Sequence, residues 1–561
     1  MNSKVISALK FSGLDEKTIE SIIERPKEIT HGDYSFPCFI LSKPMKKNPV
    51  EIAKELVSKI NKEGFEKIEA VGPYINFFLD TKRIAIETLK KIQKEKGKYG
   101  SNSSGKGKTI VLEFGSPNTN KPLHLGHVRN LSIGDSVSRT LSFNKNKVIK
   151  VSINNDRGVH ICKSMVAYQE FGKGNTPEKE KKKSDHFIGD YYVMFSKKAE
   201  ENKAYEEKAL ECLRKWEAND LKTIALWKKM NKWAFEGFNE TYKKLGIKFD
   251  KEYYESKIYK KGKGIVLQGF KQGIFTKRFD GAVVIDLQKE GLGEKVLIRP
   301  DGTSIYITQE LYLAKLRDEE YKMDMGIYVV ANEQEYHFKV LFEILRRLQF
   351  KFADKLHHLS YGMVELPGGR MKSREGTVVD ADDLIKQIQN MAKDELMKRD
   401  DLPKGEVEKR SLVIALAALK YTMLKQDIRK NIIFNPKEAI HFEGDTGLYL
   451  LYSLARANSI IKKVVKKKNE FSISSISESE RKLVTELGKF PEIVENSCKE
   501  LSPNLIAHYA YNLAQTFNEF YHSCQVVGSE EEGFRLALVR SFVQVMENAL
   551  DLLGIPVLKE M

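Results

Sequence analysis

The sequence predicts an α/β protein in three parts: a small N-terminal α/β module, a doubly wound parallel-sheet domain carrying a helical insertion, and an all-helical C-terminal third. Three observations predict it. Short apolar runs alternate with helix-period segments over 109–171 and again over 325–348. A Lys, Glu, Ala and Trp-rich stretch at helical spacing separates those blocks. From about residue 382 amphipathic segments follow one another with no strand between them.

In order along the chain, the first hundred residues offer an amphipathic start, a polar turn at 30–34, a helix over 48–56 and a strand over 72–79. Ser101-Asn-Ser-Ser-Gly-Lys-Gly107 is a linker composition. The strand at 109–114, a helix over 125–143, a strand over 147–153 and a helix after Gly158 give the parallel pattern. The charged loop at 178–184 opens a helical insertion that runs to about Phe249. Strand-type sequence returns at 282–287 and 325–331, the latter leading into a helix over 338–348. The C-terminal third holds helices over 411–423, 447–464, 505–521 and 534–553. Domain limits are expected at 1–104, 105–385, with the insertion around 175–260, and 386–561.

With 561 residues, 41% of them apolar, the chain can bury several cores. Its apolar runs are short and broken by charge, so a membrane span and a signal peptide are not expected, and a cytoplasmic location is. The five cysteines are scattered, without C-x-x-C spacing, which excludes a disulfide framework and predicts no structural metal. A net charge of +17 suits a polyanionic partner, nucleic acid first, or reflects a general preference for lysine.

Two motifs carry chemistry. His124-Leu125-Gly126-His127 follows the apolar strand at 110–114 and opens a helix, whose free N–H groups and positive dipole end suit phosphate oxygens. Two imidazoles then flank the phosphate, and Gly126 leaves room for a flat adenine ring. The bland reading is a pair of histidines capping the helix. Gly368-Gly-Arg370-Met371-Lys372-Ser373-Arg374-Glu-Gly376 places three cations in a glycine-flanked loop that can close over a triphosphate, or simply be solvated.

Together these segments resemble the H-I-G-H and K-M-S-K-S signatures of class I aminoacyl-tRNA synthetases. The run from Glu113 to Asn130, Asn155-Asp-Arg-Gly158 and Tyr306-Ile-Thr-Gln-Glu310 are similar to the arginyl-tRNA synthetase family in particular. So are Glu24-Arg-Pro and His31-Gly-Asp33 near the start, and Glu443 to Tyr452 and Ala549 to Ile555 near the end. The resemblance implies a Rossmann-like catalytic domain, an additional N-terminal tRNA-binding domain and a helical anticodon-binding domain. It implies an arginine–tRNA ligase using ATP with magnesium as the substrate complex, with L-arginine and tRNA(Arg) as further partners and a monomeric state.

Residue by residue, the resemblance implies that Glu113, Ser116, Asn118, His124, Tyr306, Glu310 and Gln334 hold arginine. A guanidinium is matched by buried carboxylates, and amides and hydroxyls suit the zwitterionic end. Ser116 and Asn118 also read as turn residues. ATP falls to His124, Leu125, Gly126, His127, Arg370, Met371, Lys372, Ser373 and Arg374. Two departures stand out: Glu310 replaces the family's usual Asp, and Arg374 stands where the second signature lysine would be, with Lys372 displaced. Lys121, just upstream of the histidines, fits a compensating cation, so Lys121, His124, His127 and Arg374 are the expected catalytic groups.

For tRNA the resemblance implies Asn76, Tyr449, Tyr452 and Met561. The tyrosines equally suit a helical core, Phe77 and Phe78 a buried strand, and Lys462 to Lys468 either phosphate contacts or a solvated face. A small-molecule adenylyltransferase would have no use for the basic helical third. A non-catalytic RNA-binding paralogue would be expected to lose active-site groups that are present here.

Overall fold

The computed structural model of the chain describes residues 2–24, 26, 28, 31–367, 379–398, 402–441, 443–464, 471–558 and 560. The chain divides into two units: Met1–Lys96 with Ile460–Gly488 and Thr516–Gln544, and Gly97–Ser459 with Lys489–Gln515 and Val545–Met561.

In the first unit, β1 (Tyr34–Pro37), β2 (Phe65–Val71) and β3 (Tyr74–Leu79) form an antiparallel sheet in the order β1-β3-β2. Helix α1 (Pro49–Lys59) starts where Asn48 accepts the Val50 N–H and Pro49 presets the first turn. Ile52 and Leu56 of α1 pack into one core with Phe36, Ile75, Phe77 and Leu79. Phe77 is thus a core residue. Asn76 is 3% exposed in the central strand, and its Oδ1 accepts the Ser35 hydroxyl at 2.8 Å. An amide inside a sheet must satisfy its polar atoms there, and Ser35 does so.

The second unit is built on a five-stranded parallel sheet. Its strands are β4 (Thr109–Glu113), β5 (Lys147–Asn154), β6 (Lys251–Tyr254), β7 (Met325–Ala331) and β8 (Leu356–Tyr361), in the order β8-β7-β4-β5-β6. The chain moves from β4 outward through β5 to β6, then crosses to the other side of β4. The switch point therefore lies between β4 and β7, where doubly wound sheets bind ligands. Helix α2 (Leu125–Phe143) follows β4 and α3 (Val159–Phe171) follows β5. Gly134 lets α2 lie directly on the sheet, since a Cβ there would stand 2.3 Å from the Phe114 ring.

The 101–107 segment is anchored rather than free. Ser101 Oγ donates to the Phe143 carbonyl at 2.5 Å and the Gly105 N–H to that of Asn144 at 3.0 Å, satisfying carbonyls at the end of α2. The insertion contains helices Ser184–Glu201, Ala204–Glu217 and Leu221–Leu245. Phe187, Tyr191 and Trp233 pack edge-to-face within it and on Tyr168 of α3. The strand expected at 282–287 joins the parallel pattern in neither direction nor neighbour: Val283–Leu287 lies between Thr276–Lys277 and Gly293–Ile298 in a separate antiparallel sheet.

Helices α4 (Tyr306–Tyr321) and α5 (Glu335–Arg347) flank β7 in the chain, and α6 (Ala381–Met397) and α7 (Lys404–Leu424) begin the helical third. The expected limit at 385/386 falls inside α6, which packs on α7. Farther on, Gly447–Lys462, Glu478–Glu500, Pro503–Ser523 and Glu532–Leu552 are helical.

Candidate active site

A cavity of about 370 Å³ opens at the switch point. Gly115 and Ser116 after β4, Val330 and Ala331 of β7, and His124, His127 and Asn130 at the start of α2 are among its walls. Asn130 holds that junction together. Its Oδ1 accepts the Gly115 N–H at 2.6 Å, and its Nδ2 donates to the Val329 carbonyl at 2.7 Å and the Tyr361 hydroxyl at 3.2 Å.

His124 and His127 cap α2, and they do so reciprocally. His124 Nδ1 accepts the Gly126 N–H and His127 Nδ1 accepts the His124 N–H, each at 3.1 Å, with ring centroids 3.9 Å apart. An Nδ1 that accepts carries no proton, so the ring hydrogen of each neutral imidazole sits on Nε2. Burial first, then Lys121, lowers the His124 pKa to about 3. Burial, His124 and Lys121 push His127 well below its usual value. Gly126 suits this cap, because a Cβ would stand 3.0 Å from His124 Cε1 and press on the ring.

This corrects the expectation that free helix amides meet the phosphate. The Leu125 N–H donates to the Val379 carbonyl at 3.1 Å, that of Gly126 to His124, and that of His127 to the His124 carbonyl at 2.7 Å. What the motif can offer a phosphate is the pair of Nε2–H donors.

Beside the cavity lies an acidic cluster. Glu113 ends β4 and forms a buried ion pair with Arg317 of α4. Ser116 Oγ donates to Glu113 Oε1 at 3.4 Å from a left-handed backbone (φ 49°). Glu310, one turn after Tyr306 on α4, is 4% exposed. Burial and the Glu113 charge raise its pKa to about 8, against Arg317 and a hydrogen bond with Tyr306. Tyr306 is half-exposed, and the Glu310 charge pushes its phenol up. Glu255 adds a third carboxylate to the field around Glu310. Among the described residues Glu255 lies near Arg157, while Glu113 and Glu310 have Arg317 in common, and a guanidinium is a group that two carboxylates and a phenol fit.

Asn118 and Gln334 are exposed, at the strand-to-helix turn and ahead of α5, and neither lines the cavity. Arg370, Met371, Lys372, Ser373 and Arg374 lie outside the described residues, as does Met561. The flanks of that loop are described and both reach the first motif. Met363 and Val364 line the cavity. Val379 to Ala381 bridge Leu123 to Leu125 in antiparallel fashion.

Three family models match the chain: the class I (R) tRNA synthetase catalytic domain over 88–436, the DALR anticodon binding domain over 450–561, and the arginyl tRNA synthetase N terminal domain over 1–79. The arginine–tRNA ligase of Treponema denticola is 45% identical, the alignment covering 99% of this chain and 98% of that one. That of Parabacteroides distasonis is 42% identical with the same coverage. The chain belongs to the arginyl-tRNA synthetase family. Among solved structures, Thermus thermophilus arginyl-tRNA synthetase matches with a TM-score of 0.83 and 26% identity, over 100% of this chain and 99% of that one.

Within this synthetase the structure adds groups that sequence reading passed over. Arg129, fully buried on α2, donates to the carbonyls of Gly362, Met363, Ile428 and Lys430 at 2.7–3.1 Å. It pins the strand leading into the second signature loop to the 428–432 segment. Arg317 sits seven residues after Glu310, on the same face of α4, and Asn130 three after His127, so helical spacing was the available signal for both. In the C-terminal third, Tyr449 and Tyr452 are half-buried on one helix face. Tyr449 meets Tyr511 at 5.7 Å between centroids, and the Tyr452 hydroxyl accepts from Arg456 at 3.1 Å.

Proposed function

We propose that this synthetase activates L-arginine with ATP to arginyl-adenylate and transfers the arginyl group to the 3′ end of tRNA(Arg). The observation that carries the reading is the buried carboxylate pair Glu113 and Glu310, which have one arginine, Arg317, in common among the described residues, beside a cavity walled by two neutral histidines. The arginine carboxylate attacks the α-phosphorus in line and pyrophosphate departs. The terminal ribose hydroxyl then attacks the acyl carbon, releasing AMP.

In this reading Glu113, Glu310 and Tyr306 take the guanidinium, and Ser116, Asn118, His124 and Gln334 take the zwitterionic end. His124 and His127 donate through Nε2–H, and Lys121 and Arg374 supply positive charge as pyrophosphate forms. Leu125, Gly126, Arg370, Met371, Lys372 and Ser373 complete the ATP site, with ATP entering as its magnesium complex. Residues 1–104 and 386–561 serve tRNA binding and 105–385 catalysis. Tyr449, Tyr452 and Met561 serve anticodon recognition, while Asn76 supports the N-terminal contact surface from within its sheet. The enzyme works as a cytoplasmic monomer; among the described residues no helix is long and apolar enough to cross a membrane.

Arginine-dependent ATP–pyrophosphate exchange, with and without tRNA(Arg), tests this. Exchange requiring the tRNA supports the reading. Absence of exchange under both conditions, in folded protein, sinks it.

A further inference from the structure

Where the segment after the second signature loop returns, it lies against the first motif. The Leu125 N–H donates to the Val379 carbonyl at 3.1 Å and the Ala381 N–H to the Leu123 carbonyl at 2.9 Å, so Asp380 stands opposite His124. Asp380 also N-caps α6: its Oδ1 accepts the N–H groups of Asp382 and Asp383 at 2.8 and 3.2 Å. The same oxygen lies 3.1 Å from Nε2 of His186, in the first turn of the insertion helix Ser184–Glu201. The other oxygen, Oδ2, and His186 Nε2 are both buried with no well-aligned hydrogen bond among the described residues, so the two groups meet as a close charge pair. A carboxylate held this way needs a cation beside it, and the adjacent ring is His186.

A second tie runs parallel to the first. Lys183 Nζ bridges Asp185 at 2.8 Å and Asp382 at 2.9 Å, while Thr241 Oγ1 and Lys244 Nζ each reach Asp382 at 2.6 Å. This clamp joins two of the three insertion helices, Ser184–Glu201 and Leu221–Leu245, to α6. It includes none of the residues bridged to the first motif.

We infer that Asp380 and His186 are positioning residues for activation: the pair fixes the backbone of 379–381 and, through the bridge, the orientation of His124 at the cavity. The Asp382 clamp carries stability instead. The inference rests on the proposed reading of His124 as a phosphate ligand. Charged groups facing His186 are Asp185 and Lys183 from its own segment and Asp380, Asp382 and Asp383 from α6. Burial opposes its protonation, but Asp380 and Asp185 hold the imidazolium above its ordinary value.

The test is arginine-dependent exchange on the full chain with tRNA(Arg), comparing wild type with Asp380→Asn, His186→Gln, His186→Lys and Asp382→Asn, each with its Tm. Asn keeps the cap, so Asp380→Asn removes only the charge pair. Expected for Asp380→Asn and His186→Gln is a kcat lowered about ten- to a hundredfold with arginine KM within about twofold, as a displaced catalytic group gives. Wild-type kcat falls on the alkaline side as His186 loses its proton, and His186→Gln abolishes that limb. His186→Lys, keeping a cation, restores part of kcat. Asp382→Asn lowers Tm and leaves kcat near wild type. Wild-type kcat and pH profile in both Asp380→Asn and His186→Gln, with Tm alone reduced, would overturn the inference. Absence of exchange in wild type overturns instead the reading on which it rests.

Discussion

The backbone N–H of His124 donates to Nδ1 of His127 at 3.1 Å, so the two signature histidines orient each other before any substrate arrives. Capping and chemistry are not rival roles here. Each ring spends Nδ1 on the helix start, which fixes the tautomer and presents Nε2–H as the donor. Both rings stay neutral, so charge neutralisation at the α-phosphate falls to other groups.

Neutral burial has a measurable cost in acid. For a histidine whose folded pKa is depressed, the stabilisation is intact above its unfolded value and is lost as pH falls below it. His124, at about 3 when folded, and His127, lower than usual, both act in this direction. Stability of the wild type is therefore expected to drop below about pH 6.5, by up to about 1.4 kcal/mol per pH unit for each ring. His124→Asn, which retains a capping side chain, should flatten that slope in urea titrations. A slope unchanged by the substitution would refute the assignment.

Glu310 predicts a dependence of the same direction, at higher pH, for substrate binding. With its pKa near 8, it is largely protonated at neutral pH, yet a guanidinium binds the carboxylate. Arginine binding should then release a proton below about pH 8, and affinity should rise with pH until that value, by at most about tenfold per unit. Calorimetry in two buffers of different ionisation enthalpy counts the proton. Glu310→Gln should abolish the release and weaken arginine by about 2–4 kcal/mol.

Arg129 is a buried cation whose two terminal nitrogens donate to four carbonyls rather than to a carboxylate, and burial lowers its pKa to about 10. Removing it strands those acceptors and loosens the strand that enters the second loop. Arg129→Ala is expected to cost about 3–5 kcal/mol in urea unfolding of the full chain. Arg129→Lys should recover little, because one ammonium cannot span the fork. A loss below about 1 kcal/mol would show that the carbonyls find other partners.

What the sequence made legible follows from where the signal is local. The helix at 125–143 and the strand at 325–331 were readable to the residue, since each is a strong periodic run between clear stops. Glu113 stood out because a charge in an apolar strand demands a partner. Its partner Arg317 lies more than two hundred residues away, on a helix whose pattern merely says buried. Edge strands β1 and β6 were missed because short, charge-flanked segments take strand form from their neighbours. The burial of Asn76 is not legible locally, because it depends on β1 lying beside it. Asp380 and His186 meet only through tertiary structure.

Lys121 supplies the last prediction. It is half-buried, and burial lowers its pKa. Its charge is also one of the influences that keep His124 and His127 neutral. Two roles are therefore expected of Lys121: a weakly hydrated cation near the motif, and an addition to burial, the larger cause, in keeping both Nε2–H donors neutral. Lys121→Ala should slow arginine-dependent exchange by about a hundredfold or more while tRNA(Arg) affinity changes by less than about twofold. Lys121→Arg should recover part of the rate, since the charge returns in a bulkier form. The His124 titration in the Ala variant should move upward from its wild-type position, as seen by NMR of the ring nitrogens. Equal activity of the Ala variant and the parent would reject both roles, because either one alone makes the side chain matter.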